Sequence, residues 1–220
     1  MELTSEEGRV LGCLVEKQLT TPQQYPLTEN ALMAACNQTT NRDPVVAYDV
    51  SSIRIAARSL REKGLLRMVH RTGERSDKHQ HLLDRSFTLS AGQMAVLAVL
   101  LLRGPQTVAE LRTRSERMHP FDTVAQVQEA LDAMTERDQP LVARLERQPG
   151  RKELRYGQLL VDFEHAQIRQ PSEQWPASDQ SAPAEGLTLL GLAAEVELLR
   201  SEVAGLRTLV DGLREGPERD

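Results

Sequence analysis

The chain has 220 residues, of which 40% are hydrophobic, and its 27 Lys and Arg residues against 32 Asp and Glu residues give a formal net charge of −5. This length suffices for one large core or two small ones, whereas the acidic balance argues against a protein that binds polyanions over its whole surface. The acidity is concentrated in residues 166–220, where ten Asp and Glu residues accompany five Lys and Arg residues.

Three features bear on the cellular compartment. The longest apolar stretch, residues 94–102, has nine residues, and because a bilayer span needs roughly 20, no membrane segment is expected. The chain does not open with a basic segment followed by an apolar one, and Cys13 and Cys36 each fall within a helical apolar pattern. We therefore expect a cytoplasmic protein whose two thiols are buried as small apolar groups.

Two segments of the chain match each other without gaps. Residues 3–17, LTSEEGRVLGCLVEK, align on residues 89–103, LSAGQMAVLAVLLLR. Both begin with Leu and a hydroxyl residue suited to a helix N-cap, and both continue with apolar residues at helical spacing. Each segment is therefore predicted to form the first helix of a domain.

A second and a third helix are predicted in each copy. The second spans 27–37 or 107–117, with a Thr suited to capping near its start. The third spans 49–64 or 122–138 and carries an apolar seam that we expect to face the core. The seam consists of Val50, Ile53, Ala57 and Leu60 in the first copy and of Val124, Val127, Leu131 and Met134 in the second.

After each third helix the hydrophobic period shortens toward two, which predicts a β-hairpin. In the first copy the hairpin strands are placed at 65–71 and 81–89, and in the second at 141–147 and 153–160, where Pro-Gly supplies the turn. Three helices and a two-stranded wing, repeated once, predict a mainly α protein with small β-hairpin wings. We place two tandem winged-helix domains at 1–88 and 89–165.

Three segments resemble a known family. They are VLGCLVEKQLTTPQQYPLTENALMAACNQTTNRDPV at 10–45, LLLRGPQTVAELRTRSERM at 100–118 and GRKELRY at 150–156. These segments are similar to the YceH-type family of uncharacterised bacterial proteins, and the resemblance covers most of residues 1–160. It implies a pair of winged-helix domains and supplies no catalytic residues.

The tail combines a linker with a heptad pattern. Residues 166–186 include a stretch rich in Pro and polar residues, which predicts a flexible linker. Residues 187–214 predict a C-terminal coiled-coil helix, in which Val at a and Leu at d favour a parallel homodimer. Its seam residues are Leu189, Leu192, Val196, Leu199, Val203, Leu206, Val210 and Leu213. The alternative is a helix that folds back on its own domains.

The third helix of the first domain carries an arginine stripe, Arg54, Arg58 and Arg61, turned away from its apolar seam. In a helix-turn-helix this face enters the major groove of DNA. The candidate DNA-binding residues are Ser51, Ser52, Arg54, Arg58 and Arg61 on the helix, Arg71, Arg75 and Lys78 on the first wing, and Arg151 and Lys152 on the second. The alternative is a solvated surface, because acidic residues such as Glu62, Glu74 and Asp77 are interleaved.

The third helix of the second domain carries acidic residues at its exposed positions, among them Glu129, Asp132, Glu136 and Asp138. These charges would repel phosphates, so we expect the second domain to act mainly as a scaffold and its basic wing to make secondary contacts with DNA. The connection 37–49 is longer than a simple helix-turn-helix turn, and its Asn and Thr residues suit either phosphate contacts or a capped surface loop.

Enzymatic functions have little support in the sequence. His70, His79 and His81 fall on the first predicted wing, but no Cys or carboxylate set accompanies them as metal ligands. No glycine-rich phosphate loop is present either. We expect no enzymatic activity, no cofactor and no metal.

Two classes of function are consistent with these features. The first is a dimeric double-stranded-DNA-binding protein that regulates transcription, with the coil joining two copies. The second is a protein-interaction scaffold built on tandem winged helices, which the net acidity favours.

Overall fold

The computed structural model describes residues 2–70, 76–145 and 153–161. These residues belong to one compact unit, which is mainly helical with small antiparallel sheets, as predicted. The predicted linker and coiled-coil helix lie outside the described residues.

The first half of the unit, residues 2–89, alternates helices with short strands. Its elements are α1 (Ser5–Thr20), a 3-10 turn (Pro22–Gln24), β1 (Leu27–Thr28), α2 (Glu29–Cys36), α3 (Val50–Glu62), β2 (Leu66–Val69), β3 (Lys78–His81) and α4 (Leu83–Phe87). The second half, residues 90–161, repeats the order of the first three helices. Its elements are α5 (Ala91–Arg103), α6 (Val108–Ser115), α7 (Val124–Thr135), β4 (Val142–Arg144) and β5 (Tyr156–Gln158).

The predicted hydroxyl caps are confirmed at the starts of the helices. Thr4 caps α1 in a capping box with Glu7, and Ser90 caps α5 in the same way with Gln93. Thr28 caps α2 and Thr107 caps α6, each through its side-chain oxygen. Because these bonds join residues three apart, the local sequence alone specifies where the helices begin.

The first sheet differs from the predicted hairpin. Its strand order is β1-β3-β2, with Met68 opposite His79 and Leu66 opposite His81. The second hairpin strand was placed at 81–89, which is wrong, because β3 ends at His81 and residues 83–87 form α4. The misplacement has a physical cause: the buried side chains of β3 are two histidines, so the alternation of buried and exposed residues is not visible as an alternation of apolar residues.

The second half contains a reduced version of the same sheet. β4 and β5 pair antiparallel, with Ala143 opposite Gly157. Gln106, which precedes α6 as β1 precedes α2, exchanges two backbone hydrogen bonds with Tyr156, at 3.0 and 2.8 Å. The repeat seen in the sequence therefore extends to the strand arrangement.

The two halves share one core, because α1 packs directly against α5. This is the most extensive contact between described elements. Gly8 and Gly12 of α1 lie at the contact, and a Cβ atom on Gly12 would lie 3.0 Å from Leu102 Cγ and 3.1 Å from Leu101 Cβ. A backbone bond from Leu3 N–H to the carbonyl of Leu160, 2.7 Å long, also joins the two ends of the unit.

The long connection 37–49 is held by buried polar contacts and leads directly into α3. The Arg42 side chain is fully enclosed; it donates to both carboxylate oxygens of Glu16, at 3.1 and 2.6 Å, and to the Ala35 carbonyl. Asn37 exchanges two 2.8 Å hydrogen bonds with the backbone of Tyr48. The connection is therefore an anchored loop that ends at Asp49, the N-cap of α3.

We predict that Gly12→Val destabilises the protein by about 1–3 kcal/mol, because the added methyl groups overpack the α1–α5 contact. Ala34→Val, on the exposed face of α2, is the control and should cost under about 1 kcal/mol, the usual penalty for a β-branched residue in a helix. Urea denaturation followed by circular dichroism measures both. Equal destabilisation by the two variants would show that the glycine contact is not tight.

Candidate nucleic-acid interface

Helix α3 buries one face and exposes the other. Ile53, Ala57 and Leu60 of the predicted seam are buried and Val50 is half-buried, whereas Ala56 is a buried residue that the predicted seam lacks. The three arginines of the stripe are all exposed. The predicted division of α3 into a core face and a solvent face is confirmed.

The exposed face has an outer row and a flank. Ser51, Ile55, Arg58 and Glu62 follow one another at spacings of four, three and four residues, so they form one row opposite the buried seam. We call these four residues the outer row. Arg54 and Arg61 lie beside it, on the flank that faces α2 and the sheet. Of the stripe, only Arg58 belongs to the outer row.

Arg54 forms an ion pair with Glu29, the first residue of α2. Its Nη2 lies 2.7 Å from Glu29 Oε1 and its Nε lies 3.1 Å from Oε2. The hydrogen bond from Arg54 lowers the pKa of Glu29, against the smaller effect of burial. The charge of Arg54 is therefore offset by a neighbouring carboxylate.

Arg61, at the other end of the flank, donates through Nη1 to the Met68 sulfur atom on β2. Between α2, α3 and the sheet lies an open groove of about 460 Å³, lined by all three arginines of the stripe and by Glu29, Asp77 and His79 among others. We call it the α3 groove. Its lining carries both signs of charge, with cations in excess.

The edge of the sheet contributes further polar groups. Arg67 donates to Gln80 Oε1 at 3.0 Å, and His70 Nδ1 lies 3.0 Å from Asp77 Oδ1. Lys78 is half-buried. Arg71, Arg75, Arg151 and Lys152 of the predicted interface lie outside the described residues.

The two serines of the candidate interface differ in their surroundings. Ser51 is exposed in the outer row, but Ser52 is half-buried and its N–H donates to Asp49 Oδ1 at 2.7 Å. Asp49 caps α3 through this bond. Ser52 therefore takes part in the helix cap, and Ser51 is the serine that faces solvent.

Helix α7 is the counterpart of α3, and it exposes acidic side chains where α3 exposes arginines. Glu129, Asp132 and Glu136 are exposed, and Gln128 bridges Asp132 and the Tyr156 hydroxyl at 2.7 and 2.9 Å. Arg155, which follows Arg151 and Lys152 of the second predicted wing in the sequence, is bound internally: it donates to the Pro105 carbonyl at 2.6 Å and pairs with Glu110. The charge difference between the two halves is therefore retained at the surface.

The histidines of the sheet do not form a surface cluster. His79 and His81 are buried, 6% and 2% exposed, whereas His70 is exposed and paired with Asp77. His81 Nδ1 accepts a hydrogen bond from the Leu83 N–H, and Tyr25 accepts one from the His81 N–H. In the part of the chain that the structure describes, no group of three or more His, Cys, Asp or Glu residues is arranged to hold a metal ion.

Two features missed by sequence reasoning bear on this site. Ile55 is 69% exposed in the centre of the outer row, and Glu29 neutralises Arg54. The spacing of the seam could have revealed Ile55, because that residue lies opposite the buried positions. The Glu29 contact joins residues 25 apart, so no local pattern indicates it.

Cys13 and Cys36 are both buried, as predicted. The Cys13 thiol donates to the Ala35 carbonyl at 3.4 Å. Across residues 2–70, 76–145 and 153–161, no helix has the length and apolar character needed to cross a membrane.

The described unit is thus a duplicated helical protein in which one half presents a basic helix face beside a small sheet. Comparison with known proteins places it in a family. A family model described as "Protein of unknown function, DUF480" matches residues 3–151. The chain belongs to this family, which confirms the resemblance carried by the three sequence segments.

Similar proteins extend over nearly the whole chain. A UPF0502 protein from Geobacter metallireducens is 50% identical over 200 residues, covering 91% of this chain and 87% of the relative. A UPF0502 protein from Pelobacter propionicus is 45% identical over 216 residues, covering 97% of each chain. A third, from Klebsiella pneumoniae strain 342, is 42% identical over 217 residues, covering 96% of each.

We predict that acid destabilises the protein through its buried histidines. Burial lowers the pKa of His81 to about 4, against a smaller opposing effect of Asp84, so the unfolded chain takes up this proton first as the pH falls. The contribution of neutral His81 to the free energy of unfolding is complete above pH 6.5 and decreases by about 3 kcal/mol as the pH falls toward 4.

The substitution His81→Asn tests this prediction, because it keeps an acceptor for the Leu83 N–H and cannot titrate. Urea denaturation of both proteins at pH 7 and pH 4.5 should show a smaller loss of stability for the variant; burial also lowers the pKa of His79, so some loss should remain. An equal loss in both proteins would mean that another group is responsible.

Proposed function

We propose that the protein is a dimeric double-stranded-DNA-binding protein that regulates transcription, with α3 placed in the major groove. Three helices followed by a small antiparallel sheet, in each half, fit two tandem winged-helix domains at 1–88 and 89–165. The observation that carries the proposal is the exposed arginine face of α3 beside the α3 groove.

The positions of the arginines suggest two kinds of contact. Arg58, in the outer row, is placed to reach base edges, where Arg binds guanine in a bidentate manner. Arg54 and Arg61, on the flank, are placed for the phosphates beside the groove. In this arrangement the flank fixes the orientation of α3 on the duplex, and the outer row reads the sequence.

The Glu29–Arg54 pair reduces the attraction of this interface for phosphate. A phosphate that approaches Arg54 also meets the carboxylate of Glu29, so the net attraction is smaller than three free arginines would provide. We therefore propose that binding is moderate and that its salt dependence is shallower than three unpaired arginines would give.

The second half has a different role in this proposal. Its acidic α7 face disfavours phosphates, whereas its α5 helix packs on α1 and completes the core of the first half. We propose that the second half supports the first structurally and makes at most secondary contacts with DNA.

A second candidate function is a protein-interaction scaffold. Two observations favour it: Glu29 offsets Arg54, and Ile55 and Val45 are 69% and 55% exposed on the first half. An exposed apolar residue and a partly neutralised charge on one surface helix also suit a protein partner.

We predict that replacing Arg54, Arg58 and Arg61 with Ala weakens binding to a mixed pool of duplex DNA fragments. For every phosphate that an arginine no longer neutralises, the slope of log affinity against log salt should become shallower by about 0.9. Mobility-shift titrations at several salt concentrations measure the slope, and circular dichroism confirms that the variant is folded.

Two charge variants serve as controls. Glu29→Gln removes the carboxylate that offsets Arg54 and should tighten binding, whereas Glu129→Ala with Asp132→Ala, on α7, should leave affinity equal or slightly tighter. If the triple variant binds as the wild type does, or the wild type shows no salt-sensitive binding, the scaffold function is the better account.

We further propose that residues 187–214 mediate dimerisation of the protein through a parallel coiled coil. The support comes from the sequence: Val at three a positions, Leu at four d positions, and Glu195 and Glu202 at g opposite Arg200 and Arg207 at e of the partner.

Val203→Asp places a charge at a central a position and should convert the full-length dimer to a monomer at tens of micromolar. Ser201→Asp adds the same charge at an outer f position and should leave the dimer intact. Analytical ultracentrifugation distinguishes the two. A dimer that survives Val203→Asp would place the dimer contact elsewhere, and a wild-type monomer would favour a helix folded back on its own chain.

A further inference from the structure

Ile55 occupies a position that neither packing nor helix formation explains. At 69% exposure it is the most exposed of the large hydrophobic residues in the described ranges. A β-branched residue also has a lower helix propensity than the long polar residues common on helix surfaces. The Ile55 side chain is therefore accessible to a binding partner.

The surroundings of Ile55 narrow the choice of partner. In the outer row Ser51 lies four residues before it and Arg58 three residues after it, while Arg54 precedes it directly. Met68, another exposed apolar residue, already contacts Arg61. A single apolar side chain with Arg58 in the same row and Arg54 on the adjoining flank lacks the broad apolar centre of a protein interface but matches a narrow apolar feature in an anionic setting.

The major groove of DNA contains such a feature. Its apolar group is the 5-methyl of thymine, which lies among hydrogen-bonding base edges and between two phosphate chains. Along a helix, residues three apart are separated by about 4.5 Å, which is close to the roughly 3.4 Å spacing of base pairs. Ile55 and Arg58 are therefore close enough along the helix to reach adjacent base pairs.

We propose that Ile55 is a specificity-determining residue that contacts the thymine 5-methyl group, and that Arg58 reads guanine at an adjacent base pair. The preferred sites therefore contain thymine next to guanine. This inference rests on the proposed DNA-binding function and adds the class of sequence recognised.

The test uses duplexes selected by the full-length protein from a random library of roughly 24 base pairs, about two turns of B-DNA. The selected pool is amplified once with thymidine and once with deoxyuridine triphosphate, because uracil lacks only the 5-methyl group. The wild type should bind the thymine pool about fourfold more tightly for each contacted methyl, as expected from the transfer of one methyl group out of water. In Ile55→Ser this ratio should fall to about one.

Two variants control for unrelated effects. Val45→Ser removes another exposed apolar side chain, in the connection 37–49, and should keep the wild-type ratio. Arg58→Ala should weaken binding to both pools by a similar factor and reduce the enrichment of guanine beside thymine. Comparing ratios between proteins cancels any change in DNA shape caused by uracil.

The possible failures are distinguishable. If the wild type binds duplex DNA in a salt-sensitive way but selects no sequence, or if Ile55→Ser keeps the wild-type ratio, the inference about Ile55 is overturned and the DNA-binding proposal stands. If the wild type binds no duplex from the library at any salt concentration, both are overturned and the outer row becomes a candidate protein contact.

Discussion

The contact between α1 and α5 depends on Gly12, which has no side chain. Gly12 lets α1 approach α5 so closely that a Cβ atom there would press against Leu101 and Leu102, while a Cβ atom at Gly8 would clash with Val161, after β5. Glycine within a helix costs roughly 0.5–1 kcal/mol relative to alanine, so this close approach must return more in packing than it costs in backbone entropy. The other helices of each half pack on this pair: α2 and α3 contact α1, and α6 and α7 contact α5.

Polar contacts connect α1 to both ends of α3, which carries the candidate interface. α1 carries Glu16, which holds Arg42, and Arg42 holds the connection that delivers the chain to Asp49 and the start of α3. At the other end of α3, Lys63 binds Glu7 at the start of α1, at 2.6 and 2.8 Å. The exposed face of α3 is thus fixed at both ends by polar contacts to one helix, as a surface that reads a rigid ligand requires.

The sequence was informative wherever the structure is determined by neighbours in the chain. The caps at Thr4 and Ser90, the seam through Ile53 and Leu60, and the duplication all depend on spacings of three or four residues or on direct similarity. The coarse fold was therefore predictable, and so was the division of α3 into a buried and a basic face.

Features that depend on distant residues were not predictable in this way. Burial of Arg42 in a polar loop requires Glu16, which lies 26 positions away. The position of β3 was predicted wrongly because its inward residues are histidines. The pairing of Arg54 with Glu29 was not predictable either, because Glu29 belongs to another helix. Ile55 was accessible to periodicity, since helical spacing alone sets it opposite the buried seam.

The shared core of the two halves also has a consequence for evolution. Two independently folded domains joined only by a linker can diverge, exchange places or be lost separately, because each is stable on its own. Here α1 and α5 cover each other, and Leu3 is bonded to Leu160 at the far end of the unit. The surfaces of the two halves are therefore free to differ, as the acidic α7 and the basic α3 do, while neither half can be deleted without exposing apolar residues of the other.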